Sequence, residues 1–176
     1  MNDNTEKIVE LLDVHGGRLH GLLAKLTANR CAADELLQEL FLRLLKSQAL
    51  SAAQSPEAYL FRSAINLAFD WRKRQRNLPE VPLLDRDVPA EDSSPIDQMV
   101  IDETTKTVLE VMAGLREQDR DLISLRFIQG ESNEWIATQL GSTPHVIRSR
   151  CSKAVARLRK LVEKKQAATI AREEQT

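Results

Sequence analysis

The sequence predicts an all-α chain: two small helical domains, a helix bundle and a helix-turn-helix, joined by an acidic, proline-containing linker. Three observations carry that prediction. Leu, Ala, Arg, Glu and Gln abound while aromatic residues make up 4% of the 176 residues, which favours helices over sheets. Apolar residues recur at helical spacing over residues 4 to 76 and again over 98 to 166. Between them, "NLPEVPLLDRDVPAEDSSPID" (77 to 97) carries four of the six prolines and six acids against a single Arg, the mark of a linker. The expected organisation is a bundle at 1–77, a linker at 78–98, a second domain at 99–166 and a fraying tail at 167–176.

Composition narrows the function classes. The formal net charge is −1, so bulk charge points to no partner, although segregated patches still can. Cys31 and Cys151 lie far apart with no CxxC pairing, which reads as two reduced thiols rather than a disulfide framework or zinc site. The start, "MNDNTEKIVE", is too polar for a signal peptide. No run approaches the roughly 18–20 apolar residues of a membrane span. A cytoplasmic protein without membrane insertion is expected. His15, His20 and His145 are too dispersed for a metal triad, and HExxH, GxxxxGK, GxGxxG and GxSxG are all absent. The sequence therefore offers no catalytic residues, metal site or cofactor, and an enzyme is not expected.

In the first domain, Gly16 and Gly17 of "HGGRLHG" would each cost a helix interior about 1 kcal/mol relative to Ala. This predicts a break there, with a helix resuming through "LLAKLTANR". A further helix is expected from about Ala32 to Lys46, then a loop over "SQALSAAQSPE". Pro56 suits the first turn of a helix reaching about Arg76. On a wheel of 100° per residue, Leu36, Leu37, Leu40, Phe41 and Leu44 share a core arc. Opposite them stand Asp34, Glu35, Gln38 and Glu39, with Leu42 and Leu45. Exposed leucines are ordinary when scattered; among carboxylates they also suit docking to a basic partner.

The helix from Pro56 gathers Leu60, Phe61, Ala64, Leu67, Ala68 and Trp71 on one arc. Arg62, Asn66, Asp70 and Lys73 line the other, with Phe69 near its edge as the candidate for exposed stacking on bases. The polar stripe offers an amide and cations to bases and phosphates. The segment "RKRQR" (72 to 76) holds more positive charge than a helix dipole needs.

The second domain carries Leu122, Ile123, Leu125 and Ile128 in helical register, ended by Gly130. Ser132 is the expected N-cap of the next helix, Ile136 and Leu140 face inward, and Gly141 ends it. Thr143 caps the last helix with Pro144 at its first position. A short helix, a Gly turn and a longer helix make a helix-turn-helix. On the last helix Ile147, Cys151, Ala154, Val155, Leu158 and Leu161 share one arc. His145, Arg148, Ser149, Ser152 and Lys153 share the opposite one near the N-terminal end, where a recognition helix meets base edges. Arg150, Arg157, Arg159, Lys160, Lys164 and Lys165 flank it and suit phosphates. A solvated charged helix is the plainer reading, but Ser and His mixed with the cations favour DNA.

The residues also match a family. "AADELLQELFLRLL" (32 to 45) followed by "PEAYLFRSAINLAFDWRKR" (56 to 74) resembles region 2 of bacterial extracytoplasmic-function (ECF) sigma factors. "LREQDRDLISLRFIQGESNEWIATQLGSTPHVIRSRCSKAVARLRK" (115 to 160) is similar to their region 4. The resemblance implies a transcription initiation factor that binds core RNA polymerase and directs it to promoters. The partners implied are core RNA polymerase (β′ clamp and β flap), promoter DNA, and an anti-sigma factor or other regulator. It puts Asp34, Glu35, Gln38, Glu39 and Leu42 on the clamp-binding helix. It puts Arg62, Asn66, Phe69, Asp70, Lys73 and Arg74 on the helix that engages and melts the −10 element, and loop 47–56 where a flipped base is captured. His145, Arg148, Ser149, Arg150, Ser152, Lys153 and Arg157 fall on the surface that reads the −35 element. The linker would thread the polymerase's nucleic-acid channel.

Two residues depart from the family's pattern. Ser142 stands where a branched apolar residue is usual, and Trp135 where a Glu would complete a capping box. A stand-alone helix-turn-helix regulator is the competing reading; it would bind duplex DNA without polymerase.

Overall fold

A computed structural model describes residues 3–47, 49–77 and 102–173 of the chain. The expected linker lies outside the described residues, apart from what precedes residue 78. Among the described residues every regular element is a helix, and the chain divides into two compact units. One comprises Met1–Ala53 and Ser63–Val100, the other Gln54–Arg62 and Ile101–Thr176.

In the first unit, helix α1 (Asp3–Thr27) runs unbroken through Gly16 and Gly17, so the expected break is absent. The reason is tertiary. α1 packs on α2 (Arg30–Lys46), and Ile8, Leu19, Leu22, Leu23 and Leu26 are fully buried. Burying such side chains stabilises by about 1.5–3 kcal/mol each, which outweighs two glycines at about 1 kcal/mol each. The chain turns instead at Ala28, whose φ is 58°. Asn29 Oδ1 accepts the Ala32 N–H at 3.0 Å and caps α2, while Thr27 Oγ1 donates to the Leu23 carbonyl at 2.8 Å.

A left-handed conformation costs a residue with a Cβ roughly 1–2 kcal/mol. Ala28→Gly is therefore expected to stabilise the chain by about 0.5–1 kcal/mol net of the freedom glycine adds to the unfolded state. A urea midpoint that stays put or falls would refute this.

α2 buries Leu36, Leu40 and Leu44 and half-buries Leu37 and Phe41, as its wheel predicts. The expected loop 47–56 contains one helical turn, α3 (Ala49–Ala52), with Leu50 fully buried. Helix α4 (Pro56–Asn77) starts at the proline and buries Leu60, Phe61, Ala64, Ile65, Leu67 and Ala68. Trp71, expected in the core, is half-buried. Arg72 Nη1 donates to the Leu26 carbonyl at 3.2 Å, tying α4 to the end of α1.

In the second unit, Asp102 caps α5 (Glu103–Met112) by accepting the Thr105 N–H at 2.6 Å. That bond holds its carboxyl below the usual carboxylate range. α6 (Glu117–Ile123) passes into a π-helical segment, Ser124–Gln129, which ends at Gly130 with φ 86°. α7 (Asn133–Gln139) is capped by Ser132 Oγ, which accepts the Trp135 N–H at 2.9 Å. Gly141 turns the chain at φ 59°, and the Ser142 N–H donates to the Ala137 carbonyl at 2.9 Å, so serine at 142 leaves the turn closed. Thr143 Oγ1 accepts the Val146 N–H at 3.4 Å at the start of α8 (Pro144–Glu173). α8 packs against α5, α6 and α7. It stays helical to Glu173, so the expected fraying tail is helix over 167–173. Lys165 Nζ, expected among the flanking cations for phosphates, pairs with Glu110 of α5.

Candidate functional site

The acidic–leucine face of α2 forms as its wheel predicts. Asp34, Glu35, Gln38 and Leu42 are exposed and Glu39 is half-buried. Leu42 retains 53% of its surface in water. Two of the carboxylates have side-chain partners. His20 Nε2 of α1 lies 2.9 Å from Asp34 Oδ1. Glu39 Oε1 accepts from Arg43 Nη2 at 2.5 Å, and Glu39 Oε2 lies 3.7 Å from Arg74 Nη2 of α4. Beside them a groove of about 430 Å³ is lined by Leu12, Gly16, Leu37, Gln38, Phe41 and Leu42. The groove was not legible in the sequence, because it needs α1 to continue past its glycines alongside α2.

The polar stripe of α4 is partly as expected. Arg62, Asp70, Lys73 and Arg74 are exposed and Asn66 is half-buried. Phe69 is 3% exposed and so does not offer its ring to a base. Ile65 and Phe69 follow Phe61 round the wheel and are buried with it, so the covered arc of α4 is wider than expected. Within the second unit, Arg62 Nε lies 3.4 Å from Asp121 Oδ2. Trp135 meets the Phe61 ring edge-on, with centroids 5.8 Å apart at 88°, and Gln139 Nε2 donates to Glu57 Oε2 at 2.9 Å. The departure at 135 is thus a packing residue of this unit.

The helix-turn-helix presents His145, Arg148, Ser149, Ser152 and Lys153 exposed along one face of α8, with Arg150 half-buried. Opposite, Ile147, Cys151 and Ala154 are buried. Burial raises the Cys151 thiol's pKa, as befits a core residue. Leu161, expected on that buried arc, is 38% exposed. Arg157 is exposed, yet its Nη1 donates to Asp119 Oδ2 at 2.7 Å and ties α8 to α6.

A groove of about 490 Å³ beside this face is lined by Arg126, Phe127, Asn133, Arg148, Ser152 and Arg159 among others, with no carboxylate. Phe127 is 57% exposed, and the Arg126 guanidinium sits 5.7 Å from its ring centroid. Sequence reasoning missed Phe127. A 100° wheel sets Phe127 on the side opposite Leu122 and Leu125, so its exposure was open to sequence reasoning.

Asp121 is 6% exposed and its Oδ1 has no hydrogen-bond partner among the described residues. Burial pushes its carboxyl up to about 6, against the opposing pull of Arg120 and Arg62. Among the described residues, no group of His, Cys, Asp and Glu is arranged to hold a metal ion, and no helix is long and apolar enough to cross a membrane.

Comparison with known proteins matches both units. Residues 11–78 match the Sigma-70 region 2 family and residues 111–160 the Sigma-70, region 4 family. Together the matches cover about two thirds of the chain. The chain is 30% identical over 141 residues to the probable RNA polymerase sigma factor RfaY of Xanthomonas campestris pv. campestris, covering 76% of this chain and 35% of RfaY. It is 32% identical over 158 residues to the ECF RNA polymerase sigma factor SigE of Mycolicibacterium smegmatis, covering 88% of this chain and 61% of SigE. With the ECF sigma factor SigL of Mycobacterium tuberculosis it shares 28% identity over 85% of each chain. The chain thus spans about a third of RfaY and under two thirds of SigE. A solved structure of the sigma factor RpoE with the anti-sigma factor NepR from Bartonella quintana overlays with TM-score 0.45 and 21% identity, covering 93% of this chain and 98% of that one.

Proposed function

Because the chain belongs to the sigma-70 family, with regions 2 and 4 in order, we propose that it acts as an ECF-type initiation factor in the cytoplasm. It binds core RNA polymerase and directs it to promoters, and it performs no chemistry of its own. Region 2 engages the polymerase β′ clamp through Asp34, Glu35, Gln38, Glu39 and Leu42. It meets the −10 element through Arg62, Asn66, Asp70, Lys73 and Arg74. Region 4 contacts the β flap and reads the −35 element through His145, Arg148, Ser149, Arg150, Ser152 and Lys153. An anti-sigma factor or comparable regulator is the further partner class this reading carries.

The observation that supports it best is the pairing of the two surfaces in one chain. An exposed acid–leucine face on α2 accompanies an exposed Ser/His/cation arc at the start of α8. A stand-alone regulator needs the second surface and has no use for the first. Carboxylates around an apolar centre suit a basic protein partner. A face mixing Arg, Lys, Ser and His offers donors that fit base edges and phosphates in the major groove.

The test is capture of purified bacterial core polymerase by this protein, followed by transcription from a genomic fragment library. Capture with promoter-selective transcripts is the expected result. Failure of the folded protein to bind core, together with tight duplex binding on its own, would instead support a stand-alone regulator. Charge reversal at Glu35 and Glu39 is expected to weaken core binding roughly tenfold through mismatched charge while α8 stays folded. Unchanged affinity would remove this face from the polymerase interface.

A further inference from the structure

Glu39 and Arg74 were expected on different surfaces, one facing protein and the other DNA, yet they face each other in the first unit. The Glu39 carboxylate is divided between two guanidiniums. One oxygen takes Arg43 Nη2 at 2.5 Å from one turn along α2, and the other lies 3.7 Å from Arg74 Nη2 on α4. Glu39 is the more sheltered partner, with its side chain 35% exposed against 54% for Arg43 and 55% for Arg74. Two cations share one carboxylate, so the cluster carries a surplus positive charge. The surplus is not neutralised by a second acid, for no other carboxylate pairs with Arg43 or Arg74 among the described residues.

We propose that Arg43 and Arg74 are positioning residues for the polymerase-binding carboxylate of Glu39, and that its capture by a cation of the polymerase frees Arg74 for the phosphates of promoter DNA. The inference rests on the functional reading above and deepens it by coupling the two interfaces through one side chain. In the free protein, Glu39 holds Arg74 and subtracts one phosphate contact from region 2. When a basic group of the polymerase engages Glu39, the attraction for Arg74 is shared or lost, and the guanidinium turns to the nucleic-acid strand. The geometry favours such an exchange. At 3.7 Å the Arg74 contact is looser than the Arg43 contact, and exposed ion pairs of that kind are weak enough to be traded. Arg43, one helical turn away, keeps the carboxylate aimed outward in both states.

The experiment measures binding of the free protein to a mixed-sequence single-stranded oligonucleotide across a range of salt. Glu39→Gln is expected to raise affinity about two- to five-fold, the range one exposed ion pair supports. The plot of log K against log salt is expected to steepen by about 0.7, the increment for one additional single-strand phosphate contact. The Glu39→Gln gain is expected to vanish when Arg74→Gln is added. Glu10→Gln, which removes an equal charge from α1 in the same unit, is expected to leave the slope unchanged. Should Glu39→Gln fail to fold, Glu39→Asp retracts the carboxylate by one methylene and is expected to give part of the same gain.

A slope unmoved by either Glu39 variant overturns the proposal, and so does a gain that persists without Arg74. A gain matched by Glu10→Gln would reduce it to bulk charge and overturn it equally. Polymerase capture is measured separately on the wild-type protein. Loss of that capture would overturn the functional reading, whereas a failed cycle with capture intact overturns the coupling alone.

Discussion

Replacing Arg148 and Lys153 together with alanine is expected to abolish promoter selection while the protein still binds core polymerase. Both side chains project from the exposed face of α8, one and a half turns apart, near the N-terminal end of the helix. Neither takes part in any ion pair among the described residues. Arg148 also lines the carboxylate-free groove with Arg126 and Arg159, so no acid of that groove competes for it. A lost base contact costs about 1–3 kcal/mol, and a lost phosphate contact weakens binding to all sequences alike. The double variant is therefore expected to lose roughly 2–6 kcal/mol of promoter affinity, about 30-fold at the least. Ile147, Cys151 and Ala154, which hold α8 on its unit, are untouched. Run-off transcription from the cognate promoter, with core binding measured in parallel, is the readout. Transcription surviving both changes would remove the −35 role from this face. Arg157→Ala makes an instructive contrast. Its guanidinium is committed to Asp119, so the loss there is expected in stability before it appears in promoter affinity.

The second large effect is on stability and depends on pH. Asp121 sits at 6% exposure with its carboxyl pushed up to about 6 by burial. Folding therefore favours its protonated form. The associated stability is fully present below the unfolded value near 3.9 and is lost as pH rises through about 6. Above that, the buried anion opposes folding by up to about 3 kcal/mol, at roughly 1.4 kcal/mol per pH unit of difference. The groups acting on it are Arg120 and Arg62, which favour the anion, and Glu117, which opposes it.

Asp121→Asn removes the titration. The variant is expected to exceed the wild type by about 1–3 kcal/mol at pH 7.5, less whatever the Arg62 contact returned, and to match it within about 1 kcal/mol near pH 4. Hydrogen exchange of the slowest amides in α8 at both pH values reads this unit without interference from the other. A difference between variant and wild type that does not grow with pH would show that Asp121 does not titrate in this range.

What the sequence determined by itself was what short-range chemistry decides. Ser132 as a cap, Gly141 at positive φ, Thr143 and Pro144 opening the last helix were all legible, because each satisfies the backbone within a few residues of itself. The core arc of α2, the first turns of that of α8 from Ile147 to Ala154, and the exposed arcs opposite were legible for the same reason, since a regular helix repeats its environment every turn. Resemblance in motif order brought the family, and the region 2 and region 4 matches bear that out.

Tertiary structure decided the rest, where long-range contacts override local preference. α1 continues across Gly16 and Gly17 because α2 covers it; no residue near the glycines announces that. Phe69 is buried because tertiary packing covers the edge of the α4 arc on which it lies, which a wheel alone does not decide. The ion pairs of Glu39 with Arg74, Arg157 with Asp119 and Arg62 with Asp121 join residues 35 to 59 positions apart. Spacing along a chain says which residues share a helix face. Which face meets which other, and so which charges are spent inside the protein and which are left for a partner, is settled only when the helices pack.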